Sequence, residues 1–387
     1  LLYRYKQSQI GVASLSEILN QNLSVNRVDS IWLEKISIRS LILPKPHLFY
    51  LDYLCAAILF TWFYLGIFSG EYGNSWDFNA HNSFIVGWWY EDAGYPPYGM
   101  YHFLVLIFTG FEPSSSRLRI ASPIVLSLAV LLRYIITKNL LYLISEEVPS
   151  SRLHPKDFLF ALISFFTIIS MPLPWKDLDT SMYLGTILNN PYHNPTQIIS
   201  TPLAMMTFFL YLSFLNSGNS DLAKKVGLFS VISALAKPSL ITIFLPLCLI
   251  NCAIHYTKNL NIKPHIMIIS INIAMIILFA SISIWGGKSG DGIVSIGPFD
   301  FRGNDQPNGG VGIGWFELQK LRSNPYIALL FHEMWWFLPL YYLVRNSPQM
   351  KLATYNGLML AILAIAQASF VTETGPQLSD GNFKWSG

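Results

Sequence analysis

The chain has 387 residues, of which 52% are hydrophobic and 12% charged, and its formal net charge is +3. An average soluble domain carries about 25% charged residues, so this composition cannot cover a water-facing surface and suits a bilayer instead. With no block of Lys and Arg to track a phosphate backbone, nucleic acid is not an expected partner.

In chain order, residues 1–46 come first, carrying Arg4, Lys6, Arg27, Lys35, Arg39 and Lys45. Positive residues flanking membrane segments stay in the cytoplasm, so this is read as a cytoplasmic N-terminal segment. Within it Val28, Ile31, Trp32 and Ile36 recur at helical spacing, which predicts a helix lying on the membrane surface or packed against another subunit.

Residues 47–387 read as a membrane module. A bilayer core of about 30 Å needs roughly 20 apolar residues of helix. Windows of that character are 48–68, 120–144, 157–173, 196–216, 264–285, 326–344 and 352–371, with shorter or broken stretches at 98–111 and 226–256. The fold expected is an all-α, polytopic transmembrane helical bundle of about nine or ten membrane segments, because lipid satisfies no exposed backbone groups. Pro238 and Pro246 give 226–256 places to break and to leave the membrane from the side it entered. The 98–111 stretch is short enough to be re-entrant. Cys55, Cys248 and Cys252 lie in apolar runs and read as buried hydrophobes, not as zinc ligands.

Charge orients the loops. Residues 69–97 lack Lys and Arg but hold Glu71, Asp77, Glu91 and Asp92, so they are placed outside as a long first loop. Lys224 with Lys225, Lys258 with Lys263, and Arg345 with Lys351 are cytoplasmic anchors, leaving 174–195, 286–324 and the tail from 372 outside. The chain starts at Leu1 and stops at Gly387 in a polar stretch, so a truncated C-terminus is expected.

The first outer loop gathers Asp77, His81, Glu91 and Asp92 among aromatics. A carboxylate at the membrane rim, partly shielded from water, gains proton affinity and can serve as a general base; the alternative is a solvated acidic loop. In PYHNPT, His193 and Asn194 stand between Pro191 and Pro195, suited either to binding phosphate or sugar or to capping a helix. Two partial motifs fail: GGKS at 286–289 has Ile282 where a P-loop needs Gly, and His332-Glu333 has Trp336 where a zinc protease needs His.

The stretches SWDFNAH, YPPYGMYHFLVLIFTGF and RLRIASPIVLSLAVLL resemble the opening of GT-C-type membrane glycosyltransferases. PYHNPTQIISTPLAMMTFFLYL, SALAKPSLITIFLP and TETGPQLSDGNFKW look similar to bacterial membrane proteins grouped near that class. The likeness implies a multi-pass enzyme of a bacterial plasma membrane that takes sugar from a polyprenyl-phosphate carrier. Its acceptor would be a glycan, lipid or protein, and its partners membrane lipid and the lipid-linked donor. By position Asp77 matches the family's catalytic base.

Lys237 in LAKPS is the leading counter-charge for the departing phosphate, its bland alternative being a lysine snorkelling from a broken helix. Arg302 and Lys288 are weaker candidates, and Glu333 and Glu373 complete the set. No metal ligand is assigned: a divalent ion is compatible but not indicated, since the first loop lacks an Asp-x-Asp pair. The competing readings are a polysaccharide polymerase, for which Arg302 and Arg322 are too few, and a lipid-linked oligosaccharide transporter or flippase using Lys237 and Glu333 at the midplane.

Overall fold

The structure is a computed structural model that describes residues 31–43, 49–69, 76–90, 99–145, 155–169, 195–285, 294–296 and 350–373. Nearly all of these are helical. The helices are α1 (Ile31–Glu34), α2 (Ile38–Ile42), α3 (Phe49–Ser69), α4 (Trp76–Tyr90), α5 (Met100–Phe108), α6 (Ser115–Ile144), α7 (Pro155–Ile169), α8 (Pro195–Ser217), α9 (Ser220–Ala236), α10 (Ser239–Thr257), α11 (Lys263–Trp285) and α12 (Lys351–Phe370). Strand β1 (Val294–Ile296) pairs antiparallel with β2 (Val371–Glu373).

Among the described residues three helices are long and apolar enough to cross a membrane: Ser115–Ile144, Pro195–Ser217 and Leu240–Thr257. Shorter apolar stretches occupy Tyr50–Thr61, Lys263–Phe279 and Lys351–Ala364. The distribution of side chains agrees with lipid as solvent. On α11, Ile266, Ile273, Ile277 and Leu278 are exposed, whereas His265 and Asn272 are buried. Asn272 accepts a hydrogen bond from Ser230 of α9 at 2.6 Å. Apolar groups outside and satisfied polar groups inside invert the soluble pattern.

Contacts along the helices give each a direction. Lys138 of α6 forms a buried ion pair with Asp52 of α3, so the end of α6 lies beside the start of α3. Tyr142 of α6 donates to Asp157 at the start of α7, and Arg133 donates to the Thr167 carbonyl at 2.9 Å, which fixes α7 antiparallel to α6. One apolar cluster joins Ile136 and Leu140 of α6 to Met206, Leu210 and Phe214 of α8. A second joins Leu118, Val125 and Val130 of α6 to Ile198 and Ile199 of α8, so α6 and α8 run parallel.

Gly218, at φ +67, ends α8 in the left-handed conformation that glycine adopts without a Cβ clash, and its N–H caps the Phe214 carbonyl at 2.8 Å. Asn219 then caps α9. α9 returns antiparallel to α8 as far as Lys237, where Pro238 forces the preceding residue out of the helical region. Lys237 is extended, at φ −161 and ψ 124, and α10 begins at once. Pro246, in contrast, sits inside α10 without ending it.

α10 runs back to the end where α9 began. There His255 meets His265 at the start of α11, ring nitrogens 3.1 Å apart, and His265 packs on Phe214 of α8. Asn251 of α10 donates to Asn356 of α12 at 2.8 Å, aligning α12 antiparallel to α10. The segments following α11 and α12 then meet as β1 and β2, with Val294 opposite Glu373. The bundle therefore has one end bearing the 218–219 and 258–262 turns, with Lys224, Lys225, Lys258 and Lys263, and an opposite end bearing the Lys237 break and the β ladder.

Two sequence expectations change. The first outer loop contains helix α4, because residues 76–90 hold no proline and their Ile85 is buried beneath α5 and α6. The apolar face at Trp32, Leu33 and Ile36 packs into the bundle's own core and not onto a lipid surface, with Asn139 donating to the Leu41 carbonyl at 2.8 Å. The α5 helix has 9 residues, about 13 Å, too short to span, and Gly110 and Phe111 at positive φ turn the chain into α6. The 326–344 window lies outside the described residues.

Removing one member of a buried ion pair costs about 3–5 kcal/mol, because the other charge is stranded. Lys138→Met should sharply lower the melting temperature of detergent-solubilised protein, and Asp52→Leu added to it should recover most of the loss. A double variant no more stable than the single one would contradict the pairing. Sidedness is checked by labelling in a variant lacking Cys55, Cys248 and Cys252: cysteines placed at Lys224 and Leu260 react with an impermeant maleimide from one side, and a cysteine at Glu112 from the other.

Candidate functional site

The end opposite the lysine-bearing turns collects α4, α5, the start of α6, the start of α8 and the Lys237 break. The cluster of Ile85, Tyr101, Leu106, Leu118, Ile198 and Ala236 is its apolar floor, drawing on five helices. α5 sits there with Tyr101, His102, Val105 and Leu106 all buried, an inward side that is apolar apart from His102 and the Tyr101 hydroxyl.

Above that floor lies a polar network. Nδ1 of His81 and Nε2 of His102 are 2.9 Å apart and share a hydrogen bond between α4 and α5. Next along α4, Asn82 Oδ1 accepts from Ser122 Oγ of α6 at 3.0 Å and from the Tyr101 hydroxyl at 3.5 Å. The imidazoles are enclosed by rings, Tyr101 lying 5.8 Å and Phe84 6.0 Å from His81. Such a network is costly to bury unless its members satisfy one another, and here three helices converge to do so.

Lys237 stands at the α9–α10 break, only 7% exposed. The antiparallel α8–α9 hairpin turning at Gly218 brings it level with the first turns of α8, where Thr196, Gln197 and Ser200 are also buried. These turns follow His193 and Asn194 directly in the chain. Asp77 is on the first turn of α4, four residues before His81. Glu373 ends β2. Thus α4 with Asp77 and His81, the Lys237 break, the start of α8 and the strand carrying Glu373 belong to one end of the bundle. Glu91, Asp92, His193, Asn194, Arg302 and Glu333 lie outside the described residues, as does Lys288. Among the described residues no three His, Cys, Asp or Glu side chains stand together as a metal site.

Two polar features escaped the sequence reading. His102 sits within MYHFLVLIF, and a single imidazole in an apolar run was its signal. The other is the set of Asp52, Tyr134, Lys138, Tyr142 and Asp157, all buried, with the Lys138 ammonium 5.0 Å from the Tyr134 ring centre. Tyr134, Lys138 and Tyr142 recur every four residues, a spacing that lines one face of α6. Its signal was a charge inside each of three apolar windows, Asp52, Lys138 and Asp157.

Compared with known proteins, the chain matches no family model, no curated protein and no solved structure.

Replacing Asn82 with Leu deprives the Ser122 and Tyr101 hydroxyls of their acceptor, at a cost of about 1–3 kcal/mol for a buried group left unsatisfied. Asn82→Asp keeps an acceptor and should melt above Asn82→Leu in detergent. The reverse order would show that Asn82 is held by its amide N–H instead.

Proposed function

We propose that the protein is a GT-C-type membrane glycosyltransferase that moves a sugar from a polyprenyl-phosphate carrier to an acceptor at the outer face of a bacterial plasma membrane. One observation carries this reading: Asp77, His81, Lys237 and Glu373, chosen from sequence for this chemistry, fall on elements gathered at a single end of the bundle. Lys224, Lys225, Lys258 and Lys263 flank turns at the other end. The positive-inside rule makes the lysine-bearing end cytoplasmic and the site end exoplasmic. The described helices and the apolar windows beyond them together support about nine or ten membrane segments, with α5 re-entrant.

The reaction is a single displacement with inversion. Asp77 takes the proton of an acceptor hydroxyl as its oxygen attacks the anomeric carbon, and the bond to the lipid phosphate breaks with its electrons remaining on phosphate. Lys237 supplies positive charge to the departing phosphate, where a low dielectric strengthens the attraction. His81 and the residues before α8, His193 and Asn194, contribute hydrogen bonds to sugar or phosphate.

The flippase reading draws on a different observation, the buried Asp52–Lys138 pair inside the helices. The two readings part on one assay. Asp77→Asn should abolish sugar transfer from a polyprenyl-phosphate donor in proteoliposomes while the protein still inserts, and Lys237→Met should raise KM for that donor. Full transfer by Asp77→Asn removes the carboxylate from the base role. Donor translocation without transfer by the wild-type protein would favour the flippase.

A further inference from the structure

The turn joining α10 to α11 is tightly tied. The Leu260 N–H donates to the His255 carbonyl and the Asn259 N–H to the Tyr256 carbonyl, both at 3.0 Å, with Asn259 at φ +55. Ring nitrogens of His255 and His265 lie 3.1 Å apart across its base, and Asn261 Oδ1 accepts from the Lys263 N–H at 3.1 Å. Lys258 and Lys263 therefore stand at the two ends of one fixed turn, where α10 stops and α11 starts.

Charge along this turn is of one sign. Residues 254–266 include Lys258 and Lys263, both exposed, and no Asp or Glu. The neighbouring turn differs, because there Asp221 accepts from Lys224 at 2.9 Å and offsets part of the positive charge. Lysines at a membrane surface attract anionic headgroups, each worth roughly a fivefold gain in binding.

Below the lysines the surface is apolar. Lys263 heads a face of α11 that continues through Ile266, Ser270, Ile273 and Ile277, all exposed. The steps of three and four residues keep these side chains in one line down the helix. That line is about 21 Å long, more than the roughly 15 Å of hydrocarbon in one leaflet. Tyr256 and Leu260, 69% and 51% exposed, flank Lys258 at the level where such side chains meet headgroups.

We propose that the Lys258–Lys263 turn and the Ile266–Ile277 face of α11 form a seat for one anionic phospholipid of the adjoining leaflet, with its phosphate at the two ammonium groups and an acyl chain along the isoleucines. A free phosphate would meet only the upper half of this arrangement. A zwitterionic lipid would bring a cation of its own toward the lysines. The seat lies at the opposite end of the bundle from Asp77 and Lys237, so it stands whatever reaction that end performs. A lipid bound there to the folded bundle stabilises it, and the α10–α11 hairpin is the element it braces.

The test uses the full chain, delipidated in detergent and titrated with dioleoylphosphatidylglycerol, with bound lipid counted by native mass spectrometry. Dioleoylphosphatidylcholine and inorganic phosphate are the comparison ligands. Phosphatidylglycerol should be retained in preference to both and should raise the melting temperature. Lys258→Gln combined with Lys263→Gln should weaken its binding by about 25-fold. Lys224→Gln combined with Lys225→Gln removes the same charge and should weaken it much less. Ile266→Ala combined with Ile273→Ala should weaken it with both lysines intact. Equal losses in the two lysine variants overturn the proposal, since positive charge anywhere at this end would then suffice. Equal retention of the two lipids, or inorganic phosphate displacing phosphatidylglycerol, overturns it in the wild-type protein alone. Unchanged binding by the isoleucine variant removes the acyl chain from the seat.

Discussion

The ion pair between Lys138 and Asp52 determines how the rest of the bundle can be threaded. A lysine that is 0% exposed within a 30-residue apolar helix has no water to reach, and Asp52, 6% exposed, supplies the opposite charge from α3. Because the two charges sit near opposite termini of their helices, pairing them makes α3 and α6 antiparallel. Tyr142 with Asp157 repeats the device between α6 and α7. Burial of ionised groups is weak evidence for stability in itself, but it penalises any other register strongly, since a one-turn slip would leave a charge in hydrocarbon.

From that register the polarity of the remaining helices follows through backbone exceptions. Gly218 and Asn259, both at positive φ, close the turns that carry α8 into α9 and α10 into α11. Lys237 is excluded from helix by Pro238, which makes the α9–α10 turn abrupt and leaves a lysine at its apex. The same proline thus ends one helix, starts the next and fixes the position of the ammonium. Close packing also joins α9 to α11: a Cβ on Gly227 of α9 would come within 2.6 Å of the Ile271 side chain of α11, so these helices approach at a position with room for hydrogen only.

Much of this was legible in the sequence wherever one physical signal dominated. Apolar windows located α3, α6, α8, α11 and α12 to within a few residues, and Pro238 marked the break that charge parity demanded. Pro246 was misleading, because a proline inside a membrane helix is tolerated when neighbours and local adjustments satisfy the freed carbonyl. Helix α4 was hidden because its polar residues, His81, Asn82 and Ser83, read as loop until their partners His102 and Ser122 are known. Those partners are 21 and 40 residues away, and no local periodicity encodes them. The same holds for the Lys138–Asp52 pair, whose members are 86 residues apart. Its two charges stand in separate apolar windows, and only their meeting in the folded bundle explains them.

The two polar networks also bear on what kind of activity the bundle can host. On α6, Ser122 belongs to the histidine network and Lys138 to the ion-pair network, and 16 residues of helix separate them by about 24 Å. Between these levels Leu59, Leu106, Val125, Leu126 and Val130 form a buried apolar layer. Passage of a charged headgroup from one network to the other would require that layer to open and hydrate, at a desolvation cost that the apolar side chains lining it do not offset. Chemistry confined to one end asks for no such opening. In the proposed glycosyltransferase the apolar layer would keep water from the lower half away from Asp77 and Lys237, preserving the low dielectric in which charges act most strongly. Under that proposal a lipid-borne substrate would keep its polar head at the rim, above this apolar layer, and its chain in the bilayer.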